Sequence, residues 1–148
     1  MALAIRDGPT MKGQNVATPN ASADQLVGIM RDTIVALVRR DGADLSARQR
    51  GVFLTCYLRD GAHTIRGLAA DLNVSKPAIT RALDRLGELD LARRKVDPLD
   101  RRSVLVQRTP KGAAFLRDLR SIMNEASTGS KKVAVAAEKP ASRRAANG

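Results

Sequence analysis

Apolar residues recur at helical spacing in five stretches of this chain, and most of these stretches open on a residue suited to cap a helix. In the first, Ser22 and Gln25 have the spacing of a capping box. Leu26, Met30, Ile34, Leu37 and Val38 follow along one side until Arg39, Arg40 and Gly42 end the run. Ser46 and Gln49 repeat the box ahead of a second helix, with Val52, Phe53, Cys56 and Tyr57 as its core, stopped by Asp60 and Gly61. Thr64 caps a short third helix through Leu72, and Asn73 turns the chain toward Ser75. Residues 75–94 open as a capped amphipathic helix with Pro77 in its first turn and no breaker before Gly87. Ile79, Ala82, Leu83 and Leu86 share one face of that helix. Pro77, Arg81, Asp84 and Glu88 lie opposite, flanked by Thr80 and Arg85.

The period then changes. Residues 89–96 and 102–108 are strand-like runs joined by Asp97-Pro-Leu-Asp-Arg, a hairpin with an exposed basic tip. Thr109 and Pro110 suit the N-cap and first position of a last helix carrying Ala114, Leu116, Leu119, Ile122 and Met123, which is expected to fade near Ala126. The pattern predicts a mainly α protein with a small β-hairpin wing (α+β), a winged helix-turn-helix. Three regions are expected: a flexible arm over 1–21, the folded domain with flanking dimerisation helices over 22–127, and a disordered basic tail over 128–148.

Charge turns this fold toward a function. Lysine and arginine number 26 against 15 acidic residues, a net charge of +11, which favours polyanionic partners. Residues 93–111 alone hold seven basic and two acidic side chains. Aromatics are 2% of the chain and tryptophan is missing, so stacking on single-stranded bases is poorly served and duplex DNA is the better partner. One cysteine and one histidine leave neither a disulfide framework nor an ordinary protein-ligated zinc site, and no cofactor is expected. No secretory n-region and no run of 18 apolar residues occurs, so a cytoplasmic protein with no membrane partner is expected. Cys56 sits among apolar neighbours with no adjacent cation in sequence and reads as core filler; His63 reads as a loop residue. Catalysis is not expected, since nothing orients Cys56 and His63 as nucleophile and base, while Asp84 and Glu88 read as ion-pair partners of nearby arginines.

In this order, several motifs resemble the MarR family of bacterial winged helix-turn-helix regulators. They are Leu45-Ser-Ala-Arg-Gln, the run from Ile65-Arg-Gly-Leu-Ala through Ser75-Lys-Pro-Ala-Ile-Thr-Arg to Leu86, Asp97-Pro-Leu-Asp-Arg-Arg, and Thr109-Pro-Lys-Gly. The resemblance implies a homodimer on a pseudo-palindromic operator in the bacterial cytoplasm and nucleoid, with repression the commoner outcome. Helix 75–87 would enter the major groove and wing 95–103 the minor groove. Asp100 and Arg102 match the family's Asp-x-Arg wing motif, in which the carboxylate positions the arginine; the plainer alternative is a pair that only stiffens the hairpin. DNA contacts are expected from Thr64, Ser75, Lys76, Pro77, Thr80, Arg81, Arg85, Arg94, Lys95, Asp100, Arg101 and Arg102. Dimerisation is expected from Leu26, Met30, Ile34, Leu37, Leu116, Leu119 and Met123.

Members of the family usually carry a second C-terminal helix, and polar low-complexity sequence stands in its place. Dimerisation and a small-molecule effector pocket are therefore less supported than the DNA contacts. Two alternatives remain open from sequence. One is an architectural or accessory DNA binder with weak sequence preference; the other is a helix-turn-helix used for protein interaction.

Overall fold

In the computed structural model, which describes residues 21–138, helix α1 spans Ala23–Arg39 and α2 spans Ala47–Leu58. Both begin on the boxes expected. Ser22 Oγ accepts from the Gln25 amide at 3.2 Å and Gln25 Oε1 accepts from the Ser22 amide at 2.9 Å, and Ser46 and Gln49 repeat this at 3.2 and 2.9 Å. Two otherwise orphaned N–H groups are satisfied at each helix start. Helix α3 (Ile65–Leu72) is capped by Thr64, whose Oγ1 accepts from the Gly67 amide at 2.9 Å. It closes with Asn73 in the left-handed region (φ 52°), where Val74 N–H reaches back to Ala69 O.

Helix α4 (Lys76–Glu88) starts on Ser75, with Pro77 in its first turn. It passes through Gly87 and ends one residue later. Asp90 takes a positive φ of 55°, and the Leu91 and Asp90 amides bond to Leu86 O and Gly87 O at 2.8 and 3.0 Å. This is a Schellman closure with an aspartate in the seat that glycine usually fills, and it turns the chain sharply into the wing. Of the helical reading over residues 75–94, the part beyond Glu88 is thus turn and strand.

Strands β2 (Ala92–Val96) and β3 (Val104–Arg108) form the wing hairpin, antiparallel from Ala92↔Arg108 to Val96↔Val104. A two-residue strand, β1 (His63–Thr64), pairs with the other edge of β3 through His63↔Val106 and Thr64↔Leu105, so the sheet order is β1-β3-β2. His63, read as a loop residue, is therefore a strand residue. The pairing fastens the start of α3 to the base of the wing.

The core fills the space between α2, α3, α4 and the wing base. Val52, Phe53, Leu68, Ile79 and Leu86 are fully buried there, with Leu83, Leu91 and Leu116 around them. Each such side chain contributes about 1.5–3 kcal/mol by leaving water. Phe53 stacks on Tyr57 at 4.4 Å between centroids and meets Phe115 edge-on at 5.2 Å.

The last helix, α5, runs Pro110–Glu138, a length of about 43 Å at 1.5 Å per residue. It does not fade near Ala126. Residues 128–138, expected in the disordered tail, are helical: Ala, Lys and Glu make up more than half of the segment and favour helix against Gly129 and the two valines, and no proline intervenes before Pro140. The remaining tail and the arm over 1–20 lie outside the described residues. Helix α1 packs along α5, away from the lobe's core.

Candidate nucleic-acid interface

The apolar phase of α4 decides what its other face can do. With Ala78, Ile79, Ala82, Leu83 and Leu86 buried, Lys76, Pro77, Arg81, Asp84 and Glu88 are held outward, and Thr80 and Arg85 lie half-buried at the margins. The wing stands beside this face. Its tip is shaped by Asp97 and Asp100: Asp97 Oδ1 accepts from the Leu99 amide at 2.9 Å, and the Asp97 amide donates to Ser103 O at 3.0 Å. Asp100 Oδ1 accepts from the backbone N–H of Arg102 at 3.1 Å, with no ion pair to its guanidinium. The carboxylate fixes the chain that carries Arg102 and leaves the arginine head exposed.

Between α4 and the wing lies an open cleft of about 560 Å³ lined by Thr64, Arg66, Lys76, Thr80, Asp100 and Arg102 among others. Three cations and one carboxylate face it. Sequence reasoning missed Arg66. Its signal was its phase, an exposed arginine two positions before the buried Leu68 and the single basic residue of a short helix.

The remaining expected contacts divide by partner. Among the described residues, Lys76, Arg81, Lys95, Arg101 and Arg102 form no ion pair. Arg85 is paired with Glu88 at 3.0 Å, and Arg94 with Asp84, which ties the wing to α4 rather than joining neighbours within the helix. Thr80 Oγ1 donates to Lys76 O at 3.1 Å, so in this rotamer it has lone pairs to offer but no proton. Ser75 and Thr64 accept amide bonds as caps and keep their hydroxyl protons free. Arg108, counted in the basic wing, is structural: Nε donates to Cys56 O at 2.8 Å, a terminal nitrogen donates to Arg59 O at 3.1 Å, and its head lies 5.6 Å over the Tyr57 ring.

The expected dimerisation residues also divide. Leu26 and Met30 are 56% and 61% exposed, continuing through Ile34 to Val38, and Met123 of α5 is 44% exposed. Leu116, by contrast, is drawn into the lobe's core with half-buried Leu119 packed against it, and Leu37 is half-buried. The exposed stripe is the part free to meet a partner. A second cavity, about 360 Å³, lies where the end of α1 meets α5 and the α4–β2 turn, lined by Leu37, Arg40, Leu91, Lys111, Phe115 and Ile122 among others.

Cys56 is buried, and burial pushes its thiol up to about 11 although the Arg108 charge pulls the other way. It is a protonated, apolar side chain at neutral pH. Among the described residues no helix is long and apolar enough to cross a membrane, and no group of three or more His, Cys, Asp or Glu is placed to hold a metal.

A helix-turn-helix whose exposed basic helix is flanked by an antiparallel wing defines the winged helix-turn-helix class. Solved structures of that class superimpose on this chain. A mutant of MepR from S. aureus is 19% identical with a TM-score of 0.61, covering 86% of this chain and 94% of its own. A mutant of MarR from E. coli is 21% identical with a TM-score of 0.55, covering 86% and 98%. BpsR of Bordetella bronchiseptica, whose DNA binding is regulated by 6-hydroxynicotinic acid, is 21% identical with a TM-score of 0.51, covering 71% and 79%. At these identities the likeness is one of fold. The MarR family model matches residues 48–104, from the first turn of α2 to the first residue of β3, so the chain has the fold of a MarR-family transcriptional regulator. No curated protein sequence matches it.

Proposed function

We propose that the protein is a sequence-specific, duplex-DNA-binding transcriptional repressor acting as a homodimer on a pseudo-palindromic operator in the bacterial cytoplasm. The observation that carries this reading is the outward face of α4, with Arg81 unpaired among the described residues, set beside a wing whose arginines are also free of ion pairs. An α-helix fits the major groove, and a guanidinium can present two donors to guanine O6 and N7. Arg102, on a tip fixed by Asp100, suits the narrow minor groove, and Lys76 a flanking phosphate. The exposed apolar stripe of α1 supports a two-fold partner, since such a stripe on a soluble monomer is costly to leave wet. The cavity beside Phe115, at the junction of α1 and α5 with the lobe, supports a small effector, and DNA binding by BpsR is regulated by a small molecule.

The test uses two variants on selected and random duplexes. Arg81→Ala is expected to cost about 1–3 kcal/mol on the selected sequence and to narrow its advantage over random DNA. Arg102→Ala is expected to weaken binding with the advantage largely kept. Wild-type behaviour of both variants on both duplexes would refute these roles.

A further inference from the structure

If the protein binds duplex DNA as proposed above, the cleft between α4 and the wing has a specific occupant. In a duplex, adjacent major and minor grooves are separated by one sugar–phosphate strand. A protein with α4 in one and its wing in the other must straddle that strand, and the space between helix and wing is where it passes. That space is the open cleft of about 560 Å³. Lys76 and Thr80 line it from α4, and Asp100 and Arg102 from the wing. The start of α3, held beside β3 by the Thr64↔Leu105 pairing, adds Thr64 and Arg66.

The chemistry of the lining matches a phosphodiester better than a base edge. A phosphodiester presents anionic oxygens that only accept, whereas base edges present both donors and acceptors. Arg66, Lys76 and Arg102 are donors without acceptors. Thr64 already accepts from Gly67 N–H, which leaves its hydroxyl proton to give away. The one carboxylate, Asp100, is engaged by the Arg102 amide at 3.1 Å and is outnumbered three to one. Arg66 is exposed, forms no ion pair among the described residues, and is fixed at its base by a helix that is itself pinned to the sheet. We infer that this cleft is the seat of the inter-groove phosphate backbone and that Arg66 is a phosphate ligand within it.

The experiment is a salt titration of duplex binding by the full chain, on a selected duplex and on a mixed-sequence one, comparing wild type, Arg66→Ala and Arg66→Lys. Each phosphate contact contributes about −0.9 to the log–log salt slope, so Arg66→Ala should flatten the slope by about that amount on both duplexes. Affinity should fall on the order of tenfold on each, with the preference for the selected duplex unchanged. Arg66→Lys, which keeps the charge, should keep the slope. On the selected duplex, a neutral methylphosphonate between the two groove contacts should weaken wild type more than Arg66→Ala, in which Lys76 and Arg102 still face the strand. A wild-type slope in Arg66→Ala, with duplex binding intact, would overturn the cleft assignment alone, as would a loss confined to the selected duplex. Absence of duplex binding by the wild-type chain would overturn the DNA-binding reading and this inference with it.

Discussion

Asp84 and Arg94 stand ten residues apart on different elements, yet their side chains meet, and this pair bears on how the wing is held against α4. Both side chains are more than two-fifths exposed, so the pair adds at most about 1 kcal/mol to stability. Its larger effect is on charge at the interface, because it takes one cation out of service and sets a carboxylate beside the expected phosphates. Asp84→Asn should leave thermal unfolding nearly unchanged, tighten binding to random duplex and steepen the salt slope by up to about 0.9 as Arg94 becomes free. An unaltered slope would mean that Arg94 already contacts phosphate in the complex. Cys56 makes an opposite kind of statement. With its thiol pushed up to about 11, folding favours the protonated form, so this contribution is full below pH 9 and is lost as the pH rises toward 11. At pH 8 the folded protein should resist alkylation at Cys56 and react after denaturation; labelling of the folded chain at the rate of a free thiol would contradict its burial.

At the scale of elements, α2, the wing base and the start of α5 meet in close contact. Tyr57 Oη donates to Leu91 O at 2.8 Å and accepts from the Thr109 amide at 2.9 Å, while Thr109 Oγ1 donates to Asp90 O at 2.6 Å and caps the Gly112 amide at 2.9 Å. A Cβ on Gly112 would lie 1.8 Å from Tyr57 Oη and 2.3 Å from Leu91 O, so only glycine lets α5 start this close to the wing. Tyr57→Phe, which strands the buried Thr109 N–H, should destabilise by about 1–3 kcal/mol in chemical denaturation. Gly112→Ala should cost at least as much; neutral effects would show that α5 is not anchored here. On the other side of α5, Met30→Asp in the exposed stripe should yield a monomer by analytical ultracentrifugation, with the lobe still folded, and an unchanged dimer would place the partner surface elsewhere. The starts of α1 to α4 were legible in the sequence because a cap and its partner lie within three residues. The extent of α5 was not, because residues 128–138 are low in complexity but adequate in helix propensity. Nor was β1, whose partner strand is some forty residues away; the Asp84–Arg94 pair and the cleft at Arg66 were hidden because each joins side chains from different elements, whose placement only the tertiary fold sets.

For the whole molecule, the net charge of +11 and the shape of the lobe make separable demands. Charge alone gives attraction to any duplex, steep in salt and blind to sequence, whereas the α4 face and a two-fold partner give a preferred, symmetric site. Deleting residues 139–148, which removes Lys139, Arg143 and Arg144, should lower affinity for random DNA and leave the preferred sequence unchanged. A deletion that abolished the preference would assign the reading of sequence to the tail. The measurement that separates these is in-vitro selection by the full chain on fragmented genomic DNA at near-physiological salt. A dimeric, site-specific repressor should enrich an inverted repeat with half-sites about one helical turn apart, about 10–10.5 base pairs. Recovery of unenriched, sequence-indifferent fragments would rule that out and favour a protein that coats DNA by charge.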